Sequence, residues 1–103
     1  MDLNDLMKGM QELQNQMLNL RQQAENETVE AEAGNGAVKV VATVSKKIIS
    51  ITLSPDLLTN ADKEEIEDLL TVAVNRVLDT AQVTLDANMQ KATEGLLPPN
   101  MDF

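Results

Sequence analysis

Seventeen carboxylates and eight cations are the ionisable groups available for chemistry in this 103-residue chain. Ser and Thr hydroxyls are the only other candidates, because His, Cys, Trp and Tyr are all absent. That set excludes a Ser-His-Asp triad, a Cys-His pair and a zinc site built on thiolate or imidazole. Paired carboxylates could do acid–base work in a deep cleft. The densest run is Asp56, Asp62, Glu64, Glu65, Glu67 and Asp68. No Asp-x-Asp-x-Asp-Gly calcium loop accompanies it. The run instead fits the start of a helix, where carboxylates favour the positive end of the macrodipole, with Thr59 or Asn60 as N-cap. The four glycines, Gly9, Gly34, Gly36 and Gly95, form no phosphate-cradling loop. The residues therefore predict no enzyme, no metal and no cofactor.

The formal net charge is −9. Of that, −5 falls on residues 55–70 and −2 each on residues 1–26 and 71–103; residues 27–54 are neutral. Phe103 is the sole aromatic residue, so no ring platform exists for stacking single-stranded bases. Acidity also weighs against nucleic acid. No disulfide can form, and residues 1–26 hold no continuous apolar run of the kind a signal peptide needs. No segment reaches the ~18–20 apolar residues of a membrane span. The expectation is a cytoplasmic protein without membrane insertion.

The elements follow from hydrophobic period. Leu3, Leu6, Met10, Leu13, Met17, Leu20 and Ala24 step alternately by three and four, a coiled-coil seam on a helix over 1–26. From residue 27 the period changes to two. Three strands of an antiparallel meander follow over 27–54, turning at Gly34-Asn35-Gly36 and at Ser45-Lys46-Lys47. Alternation places Ile49, Ile51 and Leu53 on one face of the last strand, which Pro55 closes. Residues 60–95 read as a long helix. Ile66, Leu69, Leu70, Ala73, Val74, Val77, Leu78 and Ala81 form a broad stripe suited to covering a sheet. Past Ala81 the stripe narrows to Leu85, Met89 and Ala92. Residues 96–103 form a tail, either a hook anchored by Met101 and Phe103 or frayed chain.

A helix of about 32 residues spans ~48 Å, and a strand of about eight residues only ~26 Å. The long helix therefore overhangs the sheet, and its narrow end and the first helix project together as an arm. The whole is one α+β domain over 1–103, α-β-β-β-α. A thin core, a free sheet edge and a seam-bearing arm favour a homodimer; the alternative is a first helix folded fully onto its own chain.

In this arrangement the sequence resembles the YbaB/EbfC family. The opening Met7-Lys8-Gly9-Met10-Gln11-Glu12-Leu13-Gln14 is similar to the family's amphipathic start, and Gly36-Ala37-Val38-Lys39-Val40 to its strand entry. Leu53-Ser54-Pro55-Asp56-Leu57-Leu58, followed by the acidic run from Asp62, is similar to its Ile-Asp-Pro-x-Leu-Leu segment and helix start. Gly95-Leu96-Leu97-Pro98-Pro99 is similar to its Leu-Pro-Pro ending. The resemblance implies a tweezer-like homodimer that binds double-stranded DNA at the nucleoid with little sequence preference, through the projecting helices. The sequence departs from the family where Thr43-Val44 stands in place of an Asn-Gly turn. It departs again where Asp79 and Thr80 stand in place of basic residues.

If DNA is the partner, phosphate contact by Lys and Arg is the available route, and binding should be weak and salt-sensitive. The candidates are Lys8, Arg21 and Lys91 on the arm and the adjacent Lys46 and Lys47 at a turn. Arg76 is expected to pair with Asp79 at i+3. The seam candidates for helix or dimer packing are Leu3, Leu6, Met10, Leu13, Met17, Leu20, Leu85 and Met89. A second reading gives the Met-bearing seam to a helix of another protein, as in a targeting factor for nascent chains or membrane proteins.

Overall fold

A computed structural model describes residues 2–94; the readings of Gly95, Pro98-Pro99, Met101 and Phe103 fall outside the described residues. The order is α1 (Leu3–Asn26), β1 (Thr28–Ala33), β2 (Val38–Thr43), β3 (Ile48–Leu53), α2 (Pro55–Asn60) and α3 (Lys63–Glu94). The strands form one antiparallel sheet in the order β1-β2-β3, as the change of period predicts. The first turn holds three consecutive residues at positive φ, Gly34 (65°), Asn35 (57°) and Gly36 (86°). A Cβ at Gly34 would also meet Leu69 methyl atoms at 3.1 and 3.2 Å. Glycine there serves both the turn and the close seating of α3.

Register places Val29, Ala31 and Ala33 of β1 level with Ala42, Val40 and Val38 of β2. These in turn face Ile48, Ile51 and Leu53 of β3. This is the inward row. Ala73, Val77 and Ala81 of α3 are fully buried, as are Val38, Val40 and Ala42. Small residues on the inner side of α3 let its axis approach β2 closely. The remaining stripe residues Ile66, Leu69, Leu70, Val74 and Leu78 pack around this centre.

Four readings of the sequence are corrected. Strict alternation fails in β3, because a bulge opposite Val41 and Ala42 pairs Ile48, not Ile49, with Ala42. Ile49 is left 54% exposed. One extra residue shifts every side chain before it to the other face. Pro55 does not simply end the strand: Ser54 Oγ accepts from Leu57 N at 3.2 Å and Pro55 begins the short helix α2. The long helix then starts three residues later than expected, at Lys63. Its cap is Asp62, whose Oδ1 accepts from Glu65 N at 2.8 Å, not Thr59 or Asn60. Those two lie within α2 and bond back to Pro55 O and Asp56 Oδ1.

α1 leaves the sheet as an arm. Residues 2–15 are exposed throughout, and only Ala24 on α1 is buried. The first helix therefore does not fold fully onto its own chain. The molecule measures 69 × 26 × 16 Å.

Candidate nucleic-acid interface

The β2–β3 turn carries the one adjacent pair of basic residues, Lys46 and Lys47. Thr43 N donates to Lys47 O at 2.8 Å and Lys46 N to Thr43 O at 2.9 Å, closing the loop. Lys46 has φ 71°, the left-handed position that completes such a three-residue hairpin loop. The Thr43 and Ser45 hydroxyls share a hydrogen bond of 2.7 Å, and Thr43 Oγ1 also accepts from Lys47 N at 3.0 Å. The Lys46-Lys47 pair thus sits on a loop braced from within, with both side chains exposed.

The same turn seals the end of α1. The last carbonyls of a helix lack intrahelical donors. Here Ser45 N donates to Ala24 O at 3.0 Å and Val44 N to Glu27 O at 2.9 Å. This fixes the helix end against the hairpin. Arg21, one turn before Ala24, consequently lines the same cleft as Ser45, the residue that precedes Lys46 and Lys47 in the turn.

α3 reaches this end too. Asn88 Nδ2 donates to Glu27 Oε1 at 3.5 Å. Leu85 and Met89 meet Met17, Leu20 and Ala24 around an apolar cleft of about 360 Å³ that Arg21 and Ser45 border. Half of the seam candidates, Met17, Leu20, Leu85 and Met89, are brought together there. Leu3, Leu6, Met10 and Leu13 are not; they stay 70%, 50%, 61% and 51% exposed. Lys91 follows Met89 by two residues and is exposed at the same end. Lys8 stands apart, ~20 Å along α1 from Arg21 at the helical rise.

The carboxylate run lies at the opposite end. The two turns of a three-stranded meander lie at opposite ends of the strands, and α3 begins beside the first of them, where Leu69 meets Gly34. Asp56 and Glu65 border a shallow pocket with Ala37 there. Among the described residues one ion pair forms, Lys63–Glu67 at 3.5 Å. Arg76 does not pair with Asp79. Its Nη1 donates to Glu32 O at 2.9 Å instead, because α3 runs along the edge strand β1, whose outward carbonyls have no ladder partner. Sequence spacing could not show that contact, since it spans 44 positions.

Among the described residues no cluster of His, Cys, Asp or Glu could hold a metal, and no helix is long and apolar enough to cross a membrane. Residues 1–96 match the model of the YbaB/EbfC DNA-binding family. A nucleoid-associated protein of Clostridium novyi is 40% identical over 101 residues, covering 98% of this chain and 89% of its own. One of Thermoanaerobacter pseudethanolicus is 36% identical over 100 residues, covering 97% and 90%. An uncharacterised protein of Helicobacter pylori has a crystal structure with the same fold, at a TM-score of 0.72 and 18% identity over 95% of this chain and 99% of that one.

Proposed function

This chain belongs to the YbaB/EbfC DNA-binding family, and we propose that it works as a nucleoid-associated homodimer that holds double-stranded DNA without catalysis and with little sequence preference. The observation that carries the reading is the separation of charge along the molecule. Arg21 borders a cleft with Ser45 at the root of the arm, Lys46 and Lys47 follow Ser45 on the same turn, and Lys91 lies at the same end, while the carboxylates from Asp56 to Asp68 stand at the other. A duplex approaching the arm end would meet these cations, with Glu25 and Glu27 beside them, and would stay far from the densest run of carboxylates. Side chains that reach phosphates without entering a groove carry no sequence information, which is why the preference should be small. Lys8, farther out on α1, extends the track.

Six phosphate contacts in a dimer, three per copy, predict a fall of log K with log salt of slope about −5. The test is a fluorescence-anisotropy titration on a duplex of mixed sequence from about 0.03 to 0.3 M salt. Binding should be clear at the low end and largely lost at the high end. The triple variant Arg21→Ala, Lys46→Ala, Lys47→Ala should flatten the slope toward zero. Absence of binding at the lowest salt would refute the reading.

A further inference from the structure

Six methionines supply all the sulfur in the chain, and Cys, Trp, Tyr and His, the other side chains that mild oxidants attack, are absent. Four of the six lie on the described helices, Met7, Met10 and Met17 on α1 and Met89 on α3. Each is at least 47% exposed, so an oxidant reaches these thioethers without unfolding the chain. Their surroundings differ. Met7 and Met10 border a hollow whose other walls are Gln11 and Gln14, all on α1. Met17 and Met89 line the apolar cleft at the root of the arm from its two sides, Met17 on α1 and Met89 on α3.

That cleft is much of what holds α1 against α3. The hairpin amides seal the helix end at Ala24 and Glu27. Among the described residues the one side-chain hydrogen bond from α3 to the end of α1 is Asn88 to Glu27, long at 3.5 Å. The remainder is the apolar wall that Met17 and Leu20 present to Leu85 and Met89. Arg21 stands one turn after Met17 on the same face of α1 and borders this cleft. Among the described residues no hydrogen bond or ion pair engages its guanidinium.

We propose that Met17 and Met89 form a modification site, at which a hydroperoxide oxidises the two thioethers to sulfoxides, loosens the arm and withdraws Arg21 from phosphate. The sulfur lone pair attacks one peroxide oxygen, and the O–O bond breaks as the S–O bond forms. The departing hydroxide takes the proton of the sulfur-bound oxygen, so hydrogen peroxide yields the sulfoxide and one water. Sulfur loses two electrons and the peroxide gains them. A flexible apolar side chain thereby becomes a polar one. The donors in the lining of the cleft are Arg21 and Ser45, and the Ser45 hydroxyl is already shared with Thr43. Arg21 is the donor that remains, and donating into the cleft takes it from the duplex. The effect on DNA rests on the DNA-binding reading above; the effect on the arm does not. The same reaction at Met7 and Met10 stays on α1 and alters neither.

The test treats the native chain with hydrogen peroxide, while peptide mass spectrometry follows the gain of one oxygen at each methionine. Sulfoxide at Met17 and Met89 should speed amide hydrogen exchange across residues 14–26 and leave the sheet unchanged. Affinity for duplex DNA at low salt should fall several-fold, and the slope of log K against log salt should shrink from about −5 to about −4, the loss of one contact per copy. Methionine sulfoxide reductases acting on both epimers should restore both readings. Met17→Leu with Met89→Leu, which conserves volume, should keep exchange and affinity unchanged through the treatment. Met7→Leu with Met10→Leu should stay sensitive. An untreated chain that does not bind DNA would overturn the DNA-binding reading, and hydrogen exchange would still decide this one. A chain oxidised at both residues that exchanges, or binds DNA, as the untreated one does would overturn the proposal. So would sensitivity that survives in the Met17→Leu, Met89→Leu variant.

Discussion

Lys46 occupies a backbone position that glycine would hold at no cost. A side chain in the left-handed region costs roughly 1 kcal/mol, and Lys46 adopts φ 71° there. Its neighbours Thr43 and Ser45 are committed to bracing the loop, so the lysine is not needed to hold the turn. A strained residue kept beside a cluster of like function points to a role for its side chain. Lys46→Gly should therefore leave thermal stability unchanged or raise it by up to about 1 kcal/mol. DNA affinity at low salt should fall several-fold, with the salt slope shallower by about one contact per copy. Paired melting and anisotropy measurements check this. Loss of stability with unchanged affinity would mean that Lys46 serves the turn alone.

At the scale of elements, the start of α3 rests on a single cap. Asp62 Oδ1 accepts from Glu65 N at 2.8 Å, and Asp62→Ala should cost about 1 kcal/mol, read as a lower denaturant midpoint with unchanged slope. Asn60→Ala should cost less, because Asn60 bonds within α2 and not to α3. This cap was legible: Asp62 stands three before Glu65, the spacing of a capping box, and Ser54-Pro55 is an N-cap followed by proline at the first helical position. Both signals were masked by the strand that ends at Leu53 and by Thr59 and Asn60, good cap residues in the wrong place. The α1 seam, the first turn and the α3 stripe were readable because a period fixes which residues share a face. The bulge at Ile48–Ile49 was not, since inserting one residue leaves composition and propensity unchanged. The placing of Arg21 on the same cleft as Ser45, in the turn that carries Lys46 and Lys47, was also hidden. It depends on the hairpin amides sealing α1, a contact between elements that no local pattern encodes.

For the molecule as a whole, net charge matters less than its distance from the bound phosphates. The Debye length is ≈ 10 Å at 0.1 M salt. Glu64 and Leu85 are 21 residues apart on α3, ~31 Å along the helix at 1.5 Å per residue, or about three screening lengths. Glu25 lies one turn beyond Arg21, within about one screening length of the same cluster. Glu25→Lys and Glu64→Lys change the total charge identically, from −9 to −7. Reversing one charge at ~10 Å in water is worth about 0.8 kcal/mol before screening. At 0.1 M salt Glu25→Lys should thus strengthen DNA binding about threefold, and Glu64→Lys should leave it within experimental error. Near 0.01 M, where the Debye length is about 30 Å, Glu64→Lys should begin to strengthen binding as well. Equal gains from the two variants at 0.1 M would mean that DNA senses the chain's total charge, and that separating carboxylates from cations along the fold has no part in how this acidic protein holds a polyanion.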